Sequence, residues 1–300
     1  MKKLFSVTLA LAMAVLVKAQ LVEPLSTQRV QLPEGVVSEQ ATISPDGTFA
    51  VVGEMGGGTL TRVDIATGAA KTLTANGLSS TVVISPDGKN VVFNAVTFTE
   101  DHLRMNSLHS VNFATGGELE LVAPSRHLNA GVAISRTGVI AVENGRARAH
   151  SFNSTAAQSL PVASINYGHL EITIDGETTT LDPQGRGSYI WPAVSPDGTK
   201  VVYCLCGEGT FVCNIDGTDV RPIGYLNAAK WLTDDLLVGM EDYDDDVNFT
   251  QSTIVVADLN GNRQTLTDGN QIALYPSASA NGKRIAYSTL QGELFIINLK

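Results

Sequence analysis

A five-residue stretch, Ile43-Ser44-Pro45-Asp46-Gly47, recurs along this chain and divides it into units. It returns at residues 84–88 and 194–198, and degenerate copies occupy residues 134–138 and 278–282, each followed by a short apolar run. Proline presets φ to about −65° at the second turn position, aspartate suits the third, and glycine accepts the positive φ that follows. Each copy therefore predicts a turn between two antiparallel strands.

The spacing of these turns indicates a β-propeller. The last interval is long and contains a sixth, weaker copy at residues 231–238, so that the first and last motif glycines lie 235 residues apart, or 47 per interval. A second pattern, at residues 61–74, returns at residues 254–267 and supplies two further strands per unit. A strand repeat of roughly 40–50 residues is typical of propeller blades. The sequence thus predicts an all-β fold, a six-bladed β-propeller of four-stranded blades, as one domain over residues 20–300.

The two ends of the repeat region predict how the ring closes. Residues 293–300 match the third strand of the last unit, and no fourth strand follows them. Residues 27–35 match the fourth-strand pattern and precede the first unit. We expect this N-terminal strand to complete the last blade, which would remove the open sheet edges that promote aggregation.

Residues 1–19 have the composition of a secretory signal. Lys2 and Lys3 precede an apolar run that is too short for a membrane span, and small residues precede Gln20. We expect export to the periplasm or the medium, with no membrane insertion after cleavage. Loss of the signal leaves 17 basic and 30 acidic residues, a formal charge of −13. Such a charge argues against nucleic acid and anionic lipid as partners.

The two faces of the predicted disc differ in sequence. Because strands alternate in direction, the repeated turns lie on one face, and the long, unlike connections lie on the other, where function is usually found. Aromatic and arginine side chains in such loops suit protein recognition. The alternative for Trp191 and Tyr275 is that they fill the channel. The candidate binding residues are Arg126, His127, Tyr189, Trp191, Tyr225, Asp242, Asp244 and Tyr275.

The sequence patterns that could indicate a metal site or a disulfide are incomplete. The acidic residues 242, 244 and 246 alternate as in a calcium loop, but Val247 stands where glycine is needed and Thr253 where glutamate is needed. No histidines pair at zinc spacing. We expect no cofactor, no metal and no catalytic residue. A two-residue turn at Glu208-Gly209 would place Cys204 opposite Cys213 and permit a disulfide, whereas a slip of one residue would not.

The repeated Ser-Pro-Asp-Gly turn, the apolar strand after it and the Asp-x-x-x-Gly…Leu-Thr end of the unit resemble the WD-like repeats of TolB-type propellers. Similar repeats occur in the propeller domains of prolyl oligopeptidases and dipeptidyl peptidase IV, whose Gly-x-Ser-x-Gly nucleophile motif is absent from this sequence. The resemblance covers residues 27–300 and implies an exported scaffold that binds protein or peptide on one face.

Two hypotheses for function follow. The first is a non-catalytic, monomeric binding module for an envelope or periplasmic protein or peptide, acting through the face of the unlike connections. The second is a propeller enzyme, a hydrolase or lyase, that acts on a small molecule or sugar at the channel mouth, with a bound cation. Capture of an envelope protein would favour the first, and a chelator-sensitive activity would favour the second.

Overall fold

The computed structural model describes residues 20–300 except 154, 157 and 158, so the signal predicted at residues 1–19 lies outside the described part of the chain. In that part the backbone forms 26 β-strands in seven sheets and one short 3-10 helix, Ser79–Thr81. The sheets are the blades of a propeller, and their first strands surround a central channel. No helix in the described ranges is long and apolar enough to span a membrane.

Four blades consist of four consecutive strands each. Blade 1 contains β2 (Gln40–Ile43), β3 (Phe49–Gly53), β4 (Gly58–Asp64) and β5 (Ala70–Gly77), and blade 2 contains β6 (Val83–Ile84), β7 (Asn90–Phe98), β8 (Arg104–Asn112) and β9 (Glu118–Ser125). Blade 5 contains β16 (Tyr189–Val194), β17 (Lys200–Leu205), β18 (Gly209–Asn214) and β19 (Arg221–Gly224). Blade 6 contains β20 (Asn227–Trp231), β21 (Leu236–Asp244), β22 (Phe249–Asp258) and β23 (Arg263–Thr265).

Two adjacent blades have three strands each. Blade 3 contains β10 (Leu128–Ile134), β11 (Gly138–Glu143) and β12 (Arg146–Ser151). Blade 4 contains β13 (Val162–Asn166), β14 (His169–Ile174) and β15 (Glu177–Thr180).

Blade 7 joins the two ends of the chain. It contains β24 (Ala273–Ala278), β25 (Arg284–Thr289) and β26 (Leu294–Leu299), and its fourth strand is β1 (Pro24–Val30). β1 pairs antiparallel with β26, with Gln28 opposite Ile296. The Arg29 guanidinium lies 2.9 Å from the Glu293 carboxylate and reinforces this pairing. The closing strand is therefore confirmed, although it lies three residues earlier than predicted at its start and five earlier at its end.

The predicted number of six blades is wrong, because the structure has seven. With six blades, residues 144–168 would form an insertion within one irregular blade whose outer strands are β14 and β15. Instead, this segment contributes β12 to blade 3 and β13 to blade 4. Blade 4 has no Ser-Pro-Asp-Gly turn, since its first hairpin closes on the two residues Tyr167 and Gly168. The repeat that marks the other blades could not reveal it.

Blade 4 also differs in direction from its neighbours. Pro161, just before β13, lies next to Gly198, which belongs to the Ser-Pro-Asp-Gly turn at the end of β16. At the other end, the Gly168 carbonyl accepts a hydrogen bond of 3.0 Å from the amide of Tyr189, where β16 begins. The innermost strand β13 therefore runs opposite to β16. Blades 3 and 4 together contain six strands, two fewer than a pair of four-stranded blades.

The disc has two faces, which we name by their connections. The turn face carries the turns at residues 44–48, 85–89 and 195–199 between first and second strands. The loop face carries the connections between second and third strands and the connections from one blade to the next. Because blade 4 is reversed, its Tyr167–Gly168 turn also lies on the loop face.

The recurring motif forms the same hydrogen bonds in each complete copy. The buried Ser44 hydroxyl donates to the Asp46 carboxylate at 2.7 Å and accepts from the amide of Phe49 at 3.1 Å. The Ser85 and Ser195 hydroxyls donate likewise, at 2.7 and 2.5 Å. Gly47 has a φ of 77°, and the Arg284 guanidinium of blade 7 donates to its carbonyl at 2.6 Å. The motif thus stabilises the turn locally and joins neighbouring blades.

Candidate binding surface and central channel

Exposed large apolar side chains concentrate on the loop face. In the described ranges eleven such side chains are exposed, and eight of them lie in connections or at strand ends on this face, whereas three lie on strands away from it. Tyr225 and Tyr243 are adjacent on this face, and adjacent exposed apolar groups mark interaction sites more often than scattered ones do. The loop face, not the rim or the turn face, is therefore the surface most suited to a partner. The eight are Val37, Phe98, Leu103, Tyr167, Tyr225, Tyr243, Val247 and Leu290.

Tyr225 is held in place by hydrogen bonds to its neighbours in blade 6. Its hydroxyl donates to the Asp242 carbonyl at 2.8 Å and accepts from the Asn227 amide at 3.1 Å. Its ring lies 6.3 Å from that of Tyr243. The Arg263 guanidinium donates to the Tyr225 carbonyl and lies 2.7 Å from the Glu241 carboxylate. The two tyrosines thus form a rigid, half-exposed aromatic pair.

The Asp242 carboxyl is buried beneath this pair, with 4% of the residue exposed. Asn227 donates to it at 2.9 Å. Burial raises the pKa of Asp242, and the carboxylate of Asp244 acts in the same direction, whereas the Asn227 hydrogen bond opposes them. Asp242 was predicted to contact a partner, but its placement indicates that it orients Asn227 and Tyr225 instead.

Three innermost strands bulge at the same level near the loop face. Trp191, Ala228 and Tyr275 have φ values of 52°, 48° and 50°, and the pairing register shifts around each of them. Bulges of this kind redirect side chains and occur near functional sites. The rings of Trp191 and Tyr275 are half-buried against the apolar core of blades 6 and 7, and Trp191 also lines the channel.

The remaining predicted binding residues differ in exposure. Arg126 and His127 lie exposed in the turn between blades 2 and 3. Tyr189 is fully buried, and its hydroxyl donates to the Gly185 carbonyl at 2.9 Å and accepts from the amide of Gln184. Its prediction as a contact residue is therefore wrong, because the ring belongs to the core of blade 5. Burial also raises its pKa.

Asp244 belongs to an exposed hairpin tip that satisfies its own backbone. Its carboxylate accepts from the amide of Asp246 at 3.0 Å, and Asp245 accepts from Val247 and Asn248. These carboxylates act as turn caps. Over residues 20–300, apart from 154, 157 and 158, no three or more His, Cys, Asp or Glu side chains are arranged to hold a metal ion.

The pairing of β17 with β18 in blade 5 differs from the register that the disulfide prediction requires. The turn after β17 contains three residues, 206–208, so Cys204 lies opposite Thr210, and Cys213 lies opposite Val201. All three cysteines are free, with Cys204 and Cys213 buried and Cys206 exposed. Burial raises the pKa of Cys213 to about 12. The predicted pairing of Cys204 with Cys213 depended on a shorter turn and is wrong.

Two cavities, of about 690 and 570 Å³, share part of their walls and form the central channel. Both reach the turn face at Pro196, and both are lined by Lys230 of β20. In the wall of the larger cavity Lys230 is the one charged side chain described. The lysine was missed in the sequence, although a signal was available there. At the equivalent strand position the other blades carry Thr42, Val83, Ala133, Ala193 and Ser277.

Comparison with known proteins bears on the fold. No protein-family profile matches the chain, and no curated protein matches it. A chain in the crystal structure of a mitotic checkpoint complex aligns with a TM-score of 0.59 and 10% identity, covering 99% of this chain and 98% of that one.

Two further solved structures are similar. TolB from Acinetobacter baumannii aligns with a TM-score of 0.50 and 14% identity over 79% of this chain, which spans 56% of the TolB chain. An oligogalacturonate lyase in complex with manganese aligns with a TM-score of 0.50 and 17% identity, covering 90% of this chain and 79% of that one. At these identities the similarity establishes the fold, and the chain has the architecture of a β-propeller.

Proposed function

We propose that this protein is an exported β-propeller scaffold that binds a protein or peptide through its loop face. One observation carries the proposal, namely the concentration of exposed large apolar side chains on that face. The aromatic pair Tyr225 and Tyr243 suits an anchoring role, because rigid, half-exposed aromatic side chains provide contact area at a low entropic cost. Export is supported by the signal-like composition of residues 1–19.

The partner expected from this chemistry is a protein segment with apolar anchors and basic flanks. The hairpin tip next to Tyr243 carries the carboxylates of Asp244, Asp245 and Asp246, all exposed. Complementary charge on the partner would steer the encounter and fix its orientation, while the apolar anchors would supply most of the affinity.

Site-specific photo-crosslinking tests the proposal. A photoreactive phenylalanine analogue placed at Tyr225 or Tyr243, in cells that produce the protein, is expected to give discrete adducts with another polypeptide. Two matched control positions lie on outer strands with equal exposure: Leu119 matches Tyr225 at 45%, and Leu25 at 61% matches Tyr243 at 59%. Val247→Ser is expected to reduce the adducts, since it removes exposed apolar area without changing the charge of the hairpin tip.

Two outcomes would overturn this proposal. One is adduct formation at the control positions as strong as at the loop-face positions. The other is a complete lack of adducts at Tyr225 and Tyr243 when the protein is folded.

Cell fractionation and the N-terminal residue of the purified protein check export, with Gln20 expected as the first residue.

A further inference from the structure

We propose that the central channel binds a small monocarboxylic acid with an apolar body, whose carboxylate pairs with the ammonium group of Lys230. This site is independent of the loop face, and the proposal does not rest on the function proposed above. It rests on the position of one lysine, the chemistry of the walls around it and the size of the space.

The position of Lys230 places its charge inside the channel. It lines both cavities, and six blades supply an equivalent innermost position at this level. The other five are occupied by neutral side chains, as named above. The ring of innermost strands therefore presents a single cation to an otherwise uncharged level of the channel. The smaller cavity also contains the carboxylate of Asp234, which lies in a turn on the turn face and accepts from the amide of Asp197 at 2.9 Å.

The ammonium group has no partner within the described part of the chain. Lys230 forms no hydrogen bond and no ion pair there, and only burial affects its ionisation, lowering the pKa. Its side chain is nevertheless partly accessible, and that accessible surface faces the channel. A charge that is largely removed from bulk water is normally paired, because desolvation without a counter-ion is unfavourable. A ligand carboxylate would supply the missing partner.

The walls of the channel select the rest of the ligand. Around Lys230 they consist largely of aliphatic side chains, including Val83, Ile134 and Val194, with the Trp191 ring in the larger cavity. A cavity of about 690 Å³ is in the range that encloses most of a small organic ligand. The whole chain has a formal charge of −10, which disfavours non-specific binding of anions. Binding of a carboxylate therefore requires a local cation such as Lys230.

Isothermal titration calorimetry with decanoic acid tests the proposal. Wild-type protein is expected to bind decanoate, and Lys230→Gln is expected to weaken this binding roughly tenfold or more, the size expected for loss of a hydrogen bond to a charged group. The matched control is Lys283→Gln, an exposed lysine on the turn face, which should bind as the wild type does. 1-Decanol should bind more weakly than decanoate, and equally to wild type and Lys230→Gln.

Circular dichroism and a thermal melt establish that each variant is folded, and Lys230→Met serves as the second variant if the glutamine form is not. Failure of the wild type to bind decanoate up to its solubility limit would overturn the proposal. So would equal affinity of the wild type and both Lys230 variants. An apolar tetrapeptide that binds more tightly than decanoate, and loses affinity when its C-terminus is amidated, would overturn the assignment to a small acid.

Discussion

Lys230 is the residue that departs most clearly from the pattern repeated in the blades. Its equivalents in other blades are small or aliphatic, as the interior of a ring of apolar strands requires. We expect lysine at this position to lower stability, because folding transfers an ammonium group from bulk water to a partly buried site without a counter-ion. Proteins retain such groups mainly where they bind or react.

Replacement of Lys230 by methionine, which is similar in length and uncharged, is expected to stabilise the free protein at neutral pH. A gain of about 1 kcal/mol, at the low end of the cost of burying a polar group, would raise the Tm by roughly 2–4 °C for a chain of this size. The gain should shrink as pH rises. The folded-state pKa is lowered, so between it and the unfolded value of about 10.4 the unfolded state binds more protons, and wild-type stability increases with pH.

Urea unfolding of both proteins at pH 7 and at about pH 10 measures this difference. Equal stability of the two proteins at pH 7, or a methionine variant whose advantage is the same at both values, would show that Lys230 is not desolvated in the folded state.

At the scale of elements, the repeated turns stabilise the blades and the N-terminal strand β1 closes the ring. The complete turns share a serine hydroxyl, a carboxylate and a glycine with positive φ, and the blade 7 turn uses Asn281 in place of the carboxylate. The Asn281 side chain still accepts from Ser279 at 2.7 Å and from the amide of Lys283 at 3.0 Å. The blade 7 turn thus keeps the hydrogen bonds of the complete copies but lacks their negative charge.

This pair of turns allows a reciprocal test. Hydrogen bonds from the Ser195 hydroxyl and from Thr199 lower the pKa of Asp197 to about 2. A carboxylate with a lowered pKa stabilises the fold above its unfolded value of 3.8 and loses that contribution as the pH falls towards 2. We expect Asp197→Asn to lower the free energy of unfolding at pH 7 by less than about 1 kcal/mol, because the carboxylate is one-third exposed.

The reverse change, Asn281→Asp, should give a smaller gain or none at pH 7, because it removes the hydrogen bond of 3.2 Å that the Asn281 amide donates to the Asp46 carbonyl of blade 1. Thermal denaturation at pH 7 and at about pH 3 measures both variants, and the difference for Asp197→Asn should narrow at the lower pH. A difference for Asp197→Asn that grows on acidification would contradict the role of the ionised carboxylate.

β1 is the element on which closure depends. Deletion of residues 20–30 would expose the full edge of β26 and remove the buried Val30, and we expect aggregation or a Tm lower by more than 10 °C, since several kcal/mol of pairing and burial are lost. Lys300→Ala is the matched control. It removes only the exposed ion pair with Glu23 at the same edge and should change the Tm little. A deletion variant that melts with the wild type would show that blade 7 is stable with three strands.

At the scale of the whole molecule, the ring separates two independent candidate sites. The loop face presents apolar anchors to a macromolecule, and the channel presents one cation to a small ligand. The two experiments described above therefore control each other. Lys230→Gln should leave crosslinking at Tyr243 unchanged, and Val247→Ser should leave decanoate binding unchanged, because the altered side chains lie in different parts of the disc.

The sequence by itself determined the features that local chemistry specifies. Each Ser-Pro-Asp-Gly turn is stabilised within about six residues of chain, as the bonds from Ser44 show, and could be located without knowing the rest of the fold. The N-terminal position of the last strand also followed, since an unpaired blade edge at Lys300 requires a partner. Both features depend on patterns that repeat along the chain.

Only the tertiary structure decided the features that depend on contacts distant in sequence. The seventh blade arises because β13 enters from the turn face and runs opposite to β16, and no turn motif marks that reversal. The cysteine register depends on one residue of turn length, and the burial of Tyr189 and Asp242 depends on packing within their blades. The repeat aligns Lys230 with neutral residues of other blades, but only the structure shows that its side chain faces the channel without a protein partner, because a lysine on an exposed strand would have water as its partner.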